Sequence, residues 1–325
     1  MTSSKEPNEC GPGASVGVVG VGTMGLPVVA NLLAAGYSVA GFRRSAMPPE
    51  FLTLGGTAVA SPADLAARCQ AVLVILPGPD ALLEVVLGDE GLLAGTRSDL
   101  VVVEMSTMPI AVKQRCRDAL AERGAAMLDA PISGMPAMVT SRTASVFGSG
   151  DKQAFDVVHP VLKAVTDRVE HLGPFGAGSV TKYVAHLLLA VNTLATAEAL
   201  GLARRAGVDL DRLLTVLDGT VASSAAMTAR GPLMARGQYR PAPGSVATLH
   251  EGLEQVDDFA QQLGAHPPLL ELALGLYGKA RANGHAADDI AVMIDVLSQS
   301  PTTLELPEPP ALMTESAQQA PPTDK

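Results

Sequence analysis

Three glycines and one lysine carry the chemistry in this sequence. In "SVGVVGVGTMGLPVVANLLAAG", Gly20, Gly22 and Gly25 follow an apolar, β-branched run and open a helical one, with Thr23 and Met24 between them. That spacing suits a phosphate ligand: Gly20 permits a tight turn, Gly22 lets the backbone approach a pyrophosphate, and Gly25 permits close helix–sheet packing. Free N–H groups at the helix start then favour the anion. Further along, "GPFGAGSVTKYVAHLLLAVN" sets Lys182 near the start of an otherwise apolar helix. Its ammonium either snorkels to water over apolar surface or serves as a proton donor.

About twenty residues past the glycines, an NAD site offers a carboxylate to the ribose hydroxyls. Here the second strand ends in "GFRRS", so Arg43, Arg44 and Ser45 stand in that place. Guanidinium groups suit a 2′-phosphate, which a carboxylate would repel. The expected cofactor is NADP(H). No metal site is expected, because "HEGLE" from His250 lacks the second histidine of H-E-x-x-H. "SVTK" from Ser179 matches S-x-x-K, but its companion motifs S-D-N and K-T-G are missing.

These residues need a frame to hold them. The runs "SVGVVG", "YSVAGF", "AVLVIL", "LVVVEM" and "AAMLDA" predict strands buried on both faces. Helix-start signals lie between them, at Ser61-Pro62 and Thr107-Met108-Pro109. Alternation of this kind predicts a parallel α/β sheet. After about Gly178 the periodicity turns helical throughout, as in "VATLHEGLEQVDDFAQQLG" and "PLLELALGLYGKARANG". The expected organisation is therefore a Rossmann-type dinucleotide-binding domain at 15–175, a long interdomain helix carrying Lys182, and an all-helical domain at 176–297. Residues 1–14 and the Pro-, Thr- and Gln-rich 298–325 are expected to be disordered tails.

The bulk properties narrow the partners. Among 325 residues the formal net charge is -10 and no basic stripe appears, which argues against nucleic acid. The three cysteines are odd in number and lack metal spacing, which suits a reducing cytoplasm. The polar start "MTSSKEPNEC" is no apolar leader, and Val184 to Ala203 is broken by His186, Asn192 and Glu198. No membrane partner is expected from that run. The long helix is apolar on nearly every face, which predicts that a second copy covers it in a homodimer.

Three motifs together resemble the β-hydroxyacid dehydrogenases typified by 3-hydroxyisobutyrate dehydrogenase, over roughly residues 15 to 297. They are "GVVGVGTMGLPVVANL", "DAPISGMPAMVTSRTASVFGSG" and "GPFGAGSVTKYVAH". The resemblance implies Lys182 as catalytic general acid/base, with Ser133 and Gly134 anchoring substrate. It also implies Leu76-Pro77 and Ser106-Thr107 on the cofactor side, and dimerisation through the helical domain. The expected activity is hydride transfer from NADPH to a small aldehyde or keto acid, or oxidation of the matching hydroxyacid. The alternatives are an imine reductase of the same fold, whose members usually replace the lysine, and a non-catalytic NADP(H)-binding protein.

This chain departs from the family pattern at the substrate end. Ala185 and His186 stand where the family has two asparagines, and Glu251-Gly252 where it has Lys-Asp. Met135 and Arg142 replace glycines. His186 lies one turn from Lys182 and shares its face, so it is a candidate substrate contact or a group that tunes the lysine, with a satisfied core histidine the alternative. Glu251 exchanges a cation for an anion and would disfavour a plain hydroxyacid, with a place on a solvated helix face the alternative. Arg142 is a candidate contact for a second anionic group, with a solvated surface arginine the alternative.

Overall fold

The computed structural model describes residues 9–298, so 1–8 and 299–325 of the expected tails lie outside it. Six parallel strands form the main sheet: β1 (Ser15–Val19), β2 (Ser38–Phe42), β3 (Thr57–Ala58), β4 (Ala71–Val74), β5 (Val101–Glu104) and β6 (Ala126–Asp129). Their spatial order is β3-β2-β1-β4-β5-β6, the order of dinucleotide-binding sheets. It puts the chain reversal between β1 and β4, where the glycine loop emerges. A smaller sheet follows, with β7 (Ile132–Ser133) antiparallel to β8 (Ser145–Gly148), and β8 parallel to β9 (Arg168–His171).

The strands are apolar throughout because both faces are covered. Along β4, Ala71 and Leu73 join one core cluster with Val16, Val18, Val28 and Leu32, while Val72 and Val74 join another with Leu65, Val102 and Leu120. Each fully buried large side chain contributes about 1.5–3 kcal/mol, so this period-two sorting fixes the register firmly. Ser61 caps its helix (Pro62–Arg68) as expected, its hydroxyl accepting from Asp64 N at 3.2 Å. Residues 9–14 differ from the expected loose tail. Cys10 is fully buried, its N–H bonds Val157 O at 2.9 Å, and its carbonyl accepts from Tyr37 Oη at 3.1 Å.

After β9 the described chain is helical, beginning with a 29-residue helix, Ala177–Arg205. By length and composition that helix could cross a membrane, with a mean hydropathy of 1.4 over its most apolar window, so the expectation that it falls short on composition does not hold. Its packing is what ties it to the fold: Tyr183 Oη, for example, bonds Met108 O at 2.8 Å. The chain divides into two compact units: residues up to Leu188 with Thr248–Gly275, and Leu189–Ala247 with the chain from Leu276. Sequence character therefore changes at about 176, whereas compactness changes at 189. The first turns of the long helix, and the helix Val246–Gln262 from Thr248 onward, belong with the sheet. In the second unit, Gly231 and Pro232 lie inside a helix (Ala225–Arg236) that sequence periodicity does not reveal. A Cβ at Gly231 would lie 2.5 Å from Leu214 Cδ2, so glycine lets the helix Leu210–Leu217 approach.

Candidate active site

The glycine loop leaves β1 and enters the helix Gly25–Ala34. Gly20 has φ +93°, and a Cβ there would sit 1.9 Å from Ile75 O of the neighbouring strand end. A Cβ on Gly25 would sit 2.1 Å from Gly20 O. Gly22 differs from both, since its Cβ would meet nothing within 4 Å. Two glycines are thus required by packing, and the third opens outward beside exposed Thr23 and half-buried Met24. No side chain caps the helix start; Leu26 N donates to Gly22 O at 2.9 Å, and the uncapped helix terminus faces the loop where an anion would sit. These residues fit the pyrophosphate of a dinucleotide. At the end of β2, Arg43, Arg44 and Ser45 are all exposed, and Arg44 pairs with Glu84 at 3.3 Å.

On the cofactor side, Ser106 Oγ accepts from Leu76 N at 2.8 Å and so ties the ends of β4 and β5 together. Pro77 is exposed beside Leu76, and Thr107 is half-buried.

The long helix brings Lys182 to β7. Its Nζ donates to Ser133 Oγ at 3.2 Å, and the residue is only 8% exposed. Burial lowers the ammonium's pKa to about 8, because the charged form loses hydration. Lys182 therefore does not snorkel. Gly134, next to Ser133, has φ +153°, and its Cβ would press on Ala144 Cβ at 2.9 Å, so only glycine carries the chain past this corner.

Sequence reasoning missed a buried ionic group behind this site. Lys113, on the helix Ile110–Ala121, is fully buried with Glu104 and Asp129 at the ends of β5 and β6. Its Nζ lies 2.6 Å from Glu104 Oε2 and 2.8 Å from Asp129 Oδ1. It also reaches Ser106 O at 2.8 Å and Ser179 Oγ at 3.0 Å. Burial opposes its charge, but Glu104 and Asp129 hold its pKa above the usual lysine value. A lysine within an amphipathic helix gives no signal of such partners, which lie 9, 16 and 66 positions away.

A separate cleft of about 810 Å³ is lined by Pro109, Phe175, Tyr183, Gln255 and Phe259, among others, but not by Lys182 or Ser133. Among the described residues no group of three or more metal-ligating side chains converges.

Comparison with known proteins decides the family. A model described as the NAD binding domain of 6-phosphogluconate dehydrogenase matches residues 15–173. A second, described as the NAD-binding of NADP-dependent 3-hydroxyisobutyrate dehydrogenase, matches 176–297. An L-threonate dehydrogenase of Cupriavidus necator is 33% identical over 284 residues, covering 87% of this chain and 95% of its own. The chain belongs to the β-hydroxyacid dehydrogenase family. An NAD-dependent L-serine dehydrogenase of Pseudomonas aeruginosa is 31% identical, covering 86% of this chain and 96% of its own. The solved structure of Mycobacterium tuberculosis 3-hydroxyisobutyrate dehydrogenase with L-serine superposes with a TM-score of 0.79 at 26% identity, over 88% of this chain and 99% of that one. As a β-hydroxyacid dehydrogenase family member, this protein is an oxidoreductase with a nicotinamide dinucleotide-binding domain.

Against that family pattern, two departures prove to be one feature. A Cβ at Gly252 would lie 2.4 Å from His186 Nδ1, so the imidazole occupies room that only glycine leaves. His186 Nδ1 is buried without a hydrogen-bond partner. Its pKa is lowered to about 3, first by burial and then by the Lys182 charge, so the ring is neutral at physiological pH. Glu251 is exposed on the same helix, one position from Gly252. Arg142 has a structural role. It adopts φ +60°, which explains why glycine suits this position, and its guanidinium bonds Lys163 O at 2.8 Å and Asp167 Oδ1 at 2.6 Å. It thereby satisfies the end of the helix Lys152–Val165.

Proposed function

We propose that this protein is an NADP(H)-dependent oxidoreductase that interconverts a small hydroxyacid and its aldehyde or keto acid, with Lys182 as general acid/base. The observation that carries the reading is the buried Lys182 ammonium, 3.2 Å from the Ser133 hydroxyl and with a pKa near 8. A bound nicotinamide would supply the hydride in reduction and take it in oxidation. Lys182 as ammonium gives its proton to the carbonyl oxygen as that oxygen gains charge. As neutral amine it takes the hydroxyl proton in the opposite direction. Ser133 and Gly134 hold the substrate carboxylate, and His186 offers a neutral polar surface one turn from Lys182. Glu251 favours substrates that carry a cationic group beside the carboxylate; the L-serine named for two of the similar proteins has that character.

Several features support the finer parts of this reading. Arg43, Arg44 and Ser45 hold the 2′-phosphate, with Arg44 exchanging Glu84 for the phosphate on binding. Leu76, Pro77, Ser106 and Thr107 line the nicotinamide end, and Thr23 and Met24 flank the pyrophosphate. The three free, buried thiols suit the reducing cytoplasm. A second copy covers the long helix, of whose most apolar window only 39% is buried.

The test is Lys182→Met. It should lower the chemical step about 10²–10⁴-fold while cofactor binding, read by nucleotide fluorescence, persists. A variant with normal turnover returns Lys182 to a packing role.

A further inference from the structure

We propose that Lys113 is a positioning residue for the reaction, seating the first turn of the long helix, and with it Lys182, against the strand ends that face the cofactor. The inference rests on the reading of Lys182 given above. Lys113 Nζ contacts oxygens from four places in the chain: Glu104 in β5, Ser106 just after it, Asp129 in β6, and Ser179 in the first turn of the long helix. Asp129 reinforces the same turn, accepting from Ser179 N at 2.8 Å and Ser179 Oγ at 2.8 Å. Ser149 Oγ accepts from Gly178 N at 3.0 Å and donates to Asp129 Oδ2 at 3.1 Å. The helix start is therefore capped by side chains from the strand ends, with a carboxylate at its positive pole.

The seating is close as well as polar. A Cβ on Gly178 would lie 2.1 Å from Phe147 O, so the helix touches the β8 backbone. Lys182 follows Ser179 by three residues, about one turn or 4.5 Å along the axis. At the other side of the hub, Ser106 N donates to Glu104 Oε1 at 2.8 Å, and Ser106 Oγ holds Leu76 N. One ammonium thus joins the strand-end loops to the helix that carries the proton donor. Stabilisation alone is a poor account of it, because buried ion groups can often be replaced by apolar side chains without loss of stability. What such a group can supply is a fixed geometry, and a misplacement of about 1 Å can cost about 10²-fold in rate.

Ser179→Ala separates the two accounts. It removes the hydroxyl that links the helix to Lys113 and to Asp129 Oδ1, keeps the bond from Ser179 N to Asp129, and leaves the Glu104–Lys113–Asp129 ions intact, so folding is not at stake as it is in Lys113→Met. The kcat, KM and cofactor affinity by fluorescence are measured for Ser179→Ala, Ser179→Thr and Lys182→Met, and labelling of Lys182 by acetic anhydride is measured in the cofactor-free parent and the two Ser179 variants. For Ser179→Ala the expected result is a fall in kcat of about tenfold or more. Cofactor affinity and the melting temperature should hold, and Lys182 should label faster as it leaves its seat. Ser179→Thr, which keeps a hydroxyl, should restore kcat.

A Ser179→Ala protein with parental kcat and parental labelling overturns the proposal. So does a fall in kcat that only follows a loss of folded protein. If Lys182→Met is inactive while Ser179→Ala is normal, the catalytic reading stands and the positioning role falls. If Lys182→Met turns over normally, the catalytic reading falls, and the labelling rates alone decide whether the hub seats Lys182.

Discussion

On the proposed mechanism the Lys182 ammonium is the acid in reduction and its neutral amine the base in oxidation, and pH distinguishes the two. Reduction needs the ammonium, so its rate should be full below the pKa of about 8 and fall above it. Oxidation needs the neutral amine and should rise through the same pH. Steady-state rates in both directions give the check, and identical profiles would remove Lys182 from the proton path. The arginines make a second prediction at this scale. Arg43→Asp with Arg44→Ala should erase a preference for NADPH over NADH of about 10- to 100-fold, the value of one or two charge-assisted hydrogen bonds. Equal affinity for both cofactors in the unmodified protein would end that assignment. Lys182 was legible in the sequence because glycines and an apolar helix frame it. Lys113 was not, since its meaning lies in partners brought to it only by the fold.

At the scale of elements, close approaches explain what periodicity could and could not reveal. The five longer strands of the main sheet announce themselves because burial on both faces demands uninterrupted apolar residues. The strands β3 and β7, two residues each, and the four-residue β8 and β9 of the smaller sheet, which mix polar residues or glycine with apolar ones, carry no such pattern. Gly252 shows how an element's sequence can answer to a neighbour. In the middle of a helix, Gly→Ala ordinarily stabilises by about 0.5–1 kcal/mol. Here the new methyl would meet the His186 ring at 2.4 Å, so the gain should vanish in the parent and appear once His186 is trimmed to Ala. A double-mutant cycle by denaturant unfolding should give a coupling of about 0.5–3 kcal/mol. If Gly252→Ala stabilises both backgrounds equally, the ring has room to move and the two departures are independent.

For the whole molecule, the long helix is the feature that calls for a partner. Val184, Leu188 and Leu202 are exposed along it, and such a row is costly to leave in water. Light scattering should report a dimer at micromolar concentration, and Leu188→Glu should shift the population toward monomer. A parent protein that is monomeric at that concentration would contradict the prediction.

The thiols carry a consequence for how the protein comes apart. Cys10, Cys69 and Cys116 are buried, and all lie in the unit that holds the sheets. Burial raises the pKa of Cys10 and of Cys116 to about 11, so neither the nucleophile nor a path to it is available in the native state. Their modification by a disulfide reagent therefore waits on opening of that unit, which makes them an internal clock for its unfolding. The unit built on Leu189–Ala247 has no such clock, whereas far-ultraviolet circular dichroism follows the helices of both units. Following both signals in one denaturant jump compares opening around the thiols with the overall loss of helix, without introducing a single label. A first fraction of ellipticity lost ahead of thiol reactivity would mean that the unit without cysteines opens first, and coincident curves would mean that the two open as one.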